Sequence, residues 1–203
     1  MEVFDIFYGT RFFYKFLYFI TAMTPAYFLF LLQIDDKFQH PFDTTIFKVK
    51  FDVYGWCGIL FLILFVLALF LKWLLINQYK NHSTDQVLNN KKEKFKSNNL
   101  EERNGSVISF LLGNILPAVL IIEGNLLVAI LTFIIIQILI YILIMKSTDI
   151  FPNIFLIIFG IDLCKTEDDD YVFTFKSKKY EEFKVYHIGE PLKSKLYITM
   201  YEK

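Results

Sequence analysis

The side chains of this sequence that could do chemistry are few and scattered. Its three histidines, His40, His82 and His187, fall in three separate polar segments. None has a second histidine or cysteine three or four residues away to share a metal on one helix face. The acidic run Glu167-Asp168-Asp169-Asp170 has the charge of a calcium loop. It lacks the glycine and closing glutamate such a loop needs, and reads as a solvated turn available to a partner. No glycine-rich phosphate loop is visible, and no Ser/His/Asp or Cys/His arrangement. The chain is therefore expected not to be an enzyme and to carry no metal or cofactor. With 21 basic and 21 acidic side chains the formal net charge is zero, so no direct nucleic-acid binding is expected.

A second group of polar and small residues lies inside apolar sequence. Ser109, Gly113 and Pro117 recur at spacing four, a face of small residues that lets another backbone approach closely. Asn114 and Gln137 are amides deep in apolar runs, where an interhelical hydrogen bond contributes about 0.6–2 kcal/mol. These residues read as helix-packing groups, within or between subunits, in preference to an ion pathway, which needs polar groups along its whole route.

The elements that must position them are membrane spans. Hydrophobic residues make up 55% of 203 residues, which points to a multi-span membrane protein with at most one small polar domain. Leu126 to Met145 is twenty residues without a formal charge, long enough at ~1.5 Å per residue to cross a ~30 Å hydrocarbon core. Four spans are expected, at about 12–32, 55–76, 107–122 and 126–145. The first contains Thr24-Pro25 and should bend there, with Tyr8, Tyr14 and Tyr18 as an interfacial aromatic belt. The third holds Gly113, Asn114 and Pro117 and should be kinked. It forms a tight antiparallel hairpin with the fourth through Glu123-Gly124-Asn125. Between the first two spans, residues 47–52 alternate and fit a short half-buried strand. Lys72 is placed to snorkel toward headgroups.

Orientation follows from charge. Arg11, Lys15, Lys72, Lys80, the basic residues between 91 and 103, and Lys146 flank one side. The positive-inside rule places that side, with both termini, in the cytosol. The N-terminal segment lacks the basic start and cleavage site of a secretory signal and is expected to stay attached. Cys57 and Cys164 then fall on opposite sides, which excludes a bridge between them. Cys57 reads as a small buried hydrophobe, with an intersubunit disulfide as the alternative. The segment 77–105 reads as a mobile or weakly helical cytosolic linker able to lie on anionic lipid.

The transmembrane domain is thus assigned to residues 1–146, and residues 147–203 to an interfacial segment plus a small cytosolic β unit of three or four strands. Asp149 to Gly160 is too short to cross and too apolar for free solution, so it should lie along the inner interface and couple spans to tail. Asp149, Pro152, Asn153 and Gly160 are the coupling candidates, Gly160 supplying backbone freedom. In the tail, Tyr171, Phe173 and Phe175 should form a strand's core face, leaving alternate positions and the 167–170 turn for a partner.

Asn114-Ile115-Leu116-Pro117, then Lys146-Ser147-Thr148-Asp149 and Asn153-Ile154-Phe155-Leu156-Ile157-Ile158-Phe159-Gly160, in a four-span layout with a β tail, resemble the family of the Kiwa anti-phage membrane subunit, KwaA. The likeness covers roughly 105–165 and, in layout only, the rest. Pro152 precedes Asn153 instead of following it, and Ile161 stands where the family has an aromatic. The resemblance implies a homo-oligomeric, tetrameric protein of the bacterial inner membrane that senses phage attack and works with a cytosolic partner, KwaB, which acts on phage DNA. A non-enzymatic sensor and scaffold is the function expected. The alternative is a small channel, a transporter-like protein or an immunity or superinfection-exclusion factor.

Overall fold

The computed structural model describes residues 10–46, 49–81, 92–101, 104–116, 125–146, 149–176, 184–190 and 194–201. The first apolar run is two helices, α1 (Phe12–Ala22) and α2 (Thr24–Lys37), meeting at 48°. The cause is local. Pro25 has no N–H for the carbonyl of Thr21, and Thr24 Oγ1 donates to that carbonyl at 2.7 Å instead. The expected bend is there, and its freed acceptor is satisfied.

Next, a β-hairpin of β1 (Thr44–Ile46) and β2 (Val49–Phe51) replaces the single strand expected at 47–52. Thr44 pairs with Phe51 and Ile46 with Val49, while residues 47 and 48 of the expected strand lie outside the described residues. Trp56 Nε1 donates to Phe42 O at 3.1 Å and ties the hairpin's approach to α3 (Val53–Asn81). At 29 residues α3 is about 44 Å long, more than a hydrocarbon core requires. Its far end consequently projects to the sheet.

The expected third span is described only as far as residue 116. It begins as a single α-helical turn, α4 (Val107–Phe110), and widens into a π-turn over Leu111–Ile115. The expected irregularity is therefore present, although residues 117–122 of that span, Pro117 among them, lie outside the described residues. Then α5 runs from Leu126 to Met145, the span boundaries read from the sequence, with Asn125 capping Val128 N at 2.8 Å. Among the described residues two helices, α3 and α5, are long and apolar enough to cross a membrane, or three spans if α1 and α2 are one.

The short helix α6 (Ile154–Ile158) leads into a five-stranded mixed sheet of order β3-β4-β5-β7-β6. Its strands are β3 (Leu100–Glu101), β4 (Ile161–Thr166), β5 (Tyr171–Lys176), β6 (Val185–His187) and β7 (Leu196–Tyr201), with β5 and β7 parallel. Two expectations are corrected here. The linker is not wholly mobile or weakly helical, since 92–101 folds as two 3₁₀ turns and the edge strand β3. The alternate positions of β5 are not free for a partner, since Val172 and Thr174 are buried as Phe173 is. Phe95, from the linker, packs with Cys164, Val172, Val185 and Tyr197 on that face. The opposite face packs directly on the ends of α1, α3 and α5, giving one apolar core shared by helices and sheet.

Candidate functional site

The place where helices, sheet and the segment 149–160 converge is the best-determined polar site of the molecule. An amide or hydroxyl among apolar side chains must be hydrogen-bonded, at a cost of about 1–3 kcal/mol if it is not. Asn153 is 3% exposed and meets that demand at three points. Its Nδ2 donates to Thr21 Oγ1 at 2.7 Å and to Tyr18 O at 3.2 Å, while Oδ1 accepts from Leu156 N at 3.2 Å as the cap of α6. Tyr18 returns the contact by donating its hydroxyl to Phe151 O. Thus the segment after α5 is bolted to the last turn of α1, beside the break that Pro25 imposes. Tyr18 is buried here and is not a belt residue as expected, since its ring also meets Phe173 of the sheet at 5.9 Å. Tyr14 is half-buried, and Tyr8 lies outside the described residues.

Gly113 approaches the same segment from the other side. A Cβ there would sit 2.7 Å from Phe151 Cζ and 3.5 Å from Met23 Cε, so only hydrogen fits. The small-residue face thereby packs, at Gly113, within one chain. Ser109 is half-buried on the same helix. Half of the segment is interior, with Ile150, Phe151, Pro152, Asn153, Phe155 and Leu156 buried, while Asp149, Ile154, Ile157, Ile158 and Gly160 are exposed. Gly160 closes α6 with φ +73°, its N–H bonded to Ile157 O at 2.9 Å, the left-handed cap that glycine favours. Lys72, expected to snorkel, donates to Phe159 O at 3.4 Å and covers its ring at 5.3 Å. At the end of α3, Gln78 Nε2 donates to His187 O of β6 at 3.1 Å, a second tie between span and sheet.

The acidic turn is less open than its sequence suggests. Lys94 pairs with Asp168, and Lys165 with Asp169 at 3.0 Å. Asp170 is buried, its N–H bonded to Thr166 Oγ1 at 3.1 Å, which leaves Glu167 as the exposed member without an ion pair among the described residues.

The two amides of the span interiors differ from Asn153. Asn114 is fully buried, and Nδ2 reaches only Phe110 O at 3.3 Å, one turn back on its own helix. Its Oδ1 has no partner among the described residues. Gln137 is 8% exposed and neither Oε1 nor Nε2 has one there. The interhelical bonds expected of these amides do not form among the described residues. No group of three or more His, Cys, Asp or Glu converges among the described residues. His40 and Asp35 do pair, Nδ1 to Oδ2 at 2.7 Å, at the hairpin end far from the junction. Cys57 is half-buried and Cys164 buried, both unbridged.

Sequence reasoning missed Tyr18, Thr21 and Phe95. A signal existed for the first two, since Tyr18 and Thr21 lie three apart on one face immediately before Thr24-Pro25. For Phe95, one aromatic in a charged linker, the pattern holds nothing that points to a sheet.

Compared with known proteins, no curated protein and no solved structure matches the chain. A family model described as anti-phage protein KwaA matches residues 14–198.

Proposed function

Because the chain belongs to the family of anti-phage protein KwaA, we propose that it is a non-enzymatic sensor and scaffold of the Kiwa defence system in the bacterial inner membrane. It crosses four times with both termini cytosolic, assembles as a homotetramer and docks a cytosolic effector similar to KwaB through the sheet side. One observation carries this reading. The span ends and the sheet share a core, with Asn153 hydrogen-bonded to α1 beside its break. A change in the angle between α1 and α2 therefore displaces the segment 149–160, and with it β4. Asp149, Pro152 and Gly160 bound that lever, Gly160 ending α6 one residue before β4. Glu167, Asp168 and Asp169 stand exposed at the far end of the β4–β5 hairpin, where a partner can reach them, while Asp170 is buried.

The experiment combines phage challenge with co-purification of a cytosolic protein similar to KwaB. Asn153→Leu is expected to keep membrane insertion and oligomer size and to retain the partner while losing protection. Glu167→Lys should weaken the partner complex. Full protection by Asn153→Leu would contradict coupling through this segment.

The alternative reading, a small channel, transporter-like or immunity protein, draws on the unpartnered amides of Asn114 and Gln137. Ion flux through liposomes holding this chain alone would favour it, and its absence the scaffold.

A further inference from the structure

Opposite the sheet, α2, α3 and Phe133 of α5 line an open apolar groove of about 560 Å³. Its floor is a stack of Phe30 on Phe133, centroids 3.7 Å apart and planes within 12°, with Tyr27 edge-on to Phe133 at 6.2 Å. Its outer wall is α3, with Ile59 and Ile63 39% and 51% exposed. Trp56 and Phe42 close one end, the indole N–H already donated to Phe42 O. Tyr27's hydroxyl is the other polar atom among lining side chains that are otherwise hydrocarbon.

We propose that this groove binds one acyl chain of a membrane phospholipid, in the leaflet remote from the sheet. The volume lies in the range of small-molecule sites, about 300–1,000 Å³. With no unengaged charge in its wall, the groove offers nothing to an ion or a polar solute. A second copy of the chain fits poorly. A helix with its side chains is ~10–12 Å across, so this volume would admit little more than one turn. The wall is also far smaller than the ~800 Å² per partner of a stable interface. A lipid chain has the right width, and it is already at hand. The outer wall is continuous with the bare face of α3, where Leu62 and Val66 are 64% and 54% exposed on a helix long and apolar enough to cross a membrane. This inference needs only that α3 spans, and is independent of the anti-phage reading.

The test uses the full chain in nanodiscs of phosphatidylethanolamine and phosphatidylglycerol, with p-benzoylphenylalanine replacing either Ile63 or Leu62. These are neighbours at one depth on α3, but Leu62 does not line the groove. Each protein is moved into lipid-free detergent, then illuminated and weighed by mass spectrometry. The groove predicts a phospholipid adduct at position 63 that survives the transfer, and its loss at position 62. Adding Leu31→Phe and Ile59→Phe, which fill the space, should abolish the adduct at 63. Equal adducts at both positions would reduce the groove to ordinary surface lipid. Chain-to-chain adducts at 63 would assign it to a second copy. No adduct at 63 would overturn the proposal as well. The comparison of positions 62 and 63 decides even where the doubly filled variant folds poorly.

Discussion

The junction around Asn153 and the span interior around Asn114 and Gln137 are both apolar surroundings holding buried amides, yet they are built in opposite ways. At the junction each polar side-chain atom of Asn153 is bonded, as are the hydroxyls of Tyr18, Thr21 and Thr24. In the interior, Asn114 Oδ1 and both polar atoms of Gln137 are not. A fully satisfied buried network specifies one arrangement, whereas a half-satisfied one is worse than an apolar core. The junction is therefore complete in one chain. The span interior leaves its amides unpartnered among the described residues.

The largest effect that would break this contrast is removal of the sheet. Eight of the shared core's buried side chains, Tyr171, Phe173, Phe175, Tyr186, Ile188, Leu196, Ile198 and Met200, lie beyond residue 170. At about 1.5–3 kcal/mol for each fully buried large side chain, their loss, about 12–24 kcal/mol, is comparable to or larger than the ~5–15 kcal/mol stability of an ordinary protein. Deleting Tyr171–Lys203 should leave an aggregating chain, scored by size-exclusion profile and membrane yield. A monodisperse truncated protein would show the sheet to be an appendage.

Smaller, and confined to the junction, is Gly113→Leu. Forcing methylenes against Phe151 should cost about 1–3 kcal/mol, read as a lowered unfolding midpoint in detergent. Phe151→Ala should partly rescue it, because the two side chains compete for one space. Equal losses without rescue would mean Gly113 matters for another reason.

Gln137→Leu sharpens the comparison from the other side. Removing an amide with no partner should raise stability by about 1–3 kcal/mol in the isolated chain. A fall in stability and in oligomer size would mean that a neighbouring copy bonds the amide.

The smallest effect belongs to the hairpin end. His40 is held above its ordinary 6.5 by its hydrogen bond to Asp35 and then by that carboxylate's charge, with Asp43 and Asp36 adding less. A raised folded value means the imidazolium favours the folded turn. Its contribution is complete below about 6.5 and fades as pH rises through the raised value. An NMR titration of His40 should show the upward shift, and Asp35→Asn should remove most of it.

Legibility divided along the same line. The α5 boundaries, the bend at Pro25 and the strand carrying Tyr171, Phe173 and Phe175 were readable, because charge-free runs, a missing N–H and period-two alternation are local signals. The edge strand at Leu100–Glu101, the burial of Phe95 and the second covered face of β5 were not. They arise from pairing across more than sixty residues, Leu100 with Thr166, and leave no period in the linker. Of the candidate site, Asn153, Gly113 and Gly160 could be picked out by residue type. Phe151 could not, and the spacing of Tyr18 and Thr21 before Thr24-Pro25 was a signal easily passed over, because a tyrosine at a span end looks equally suited to a headgroup.

The account's central claim is that span ends and sheet form one mechanical unit clamped by Asn153. Hydrogen exchange on the full chain in nanodiscs, comparing the unaltered protein with Asn153→Leu, tests it most directly. The account predicts that amides of β4, β5 and β7 and of α1 from Leu17 to Ala22 lose protection together, while α5 between Ala129 and Leu139 does not change. Loss of protection in α1 alone, with the sheet unaltered, would contradict it.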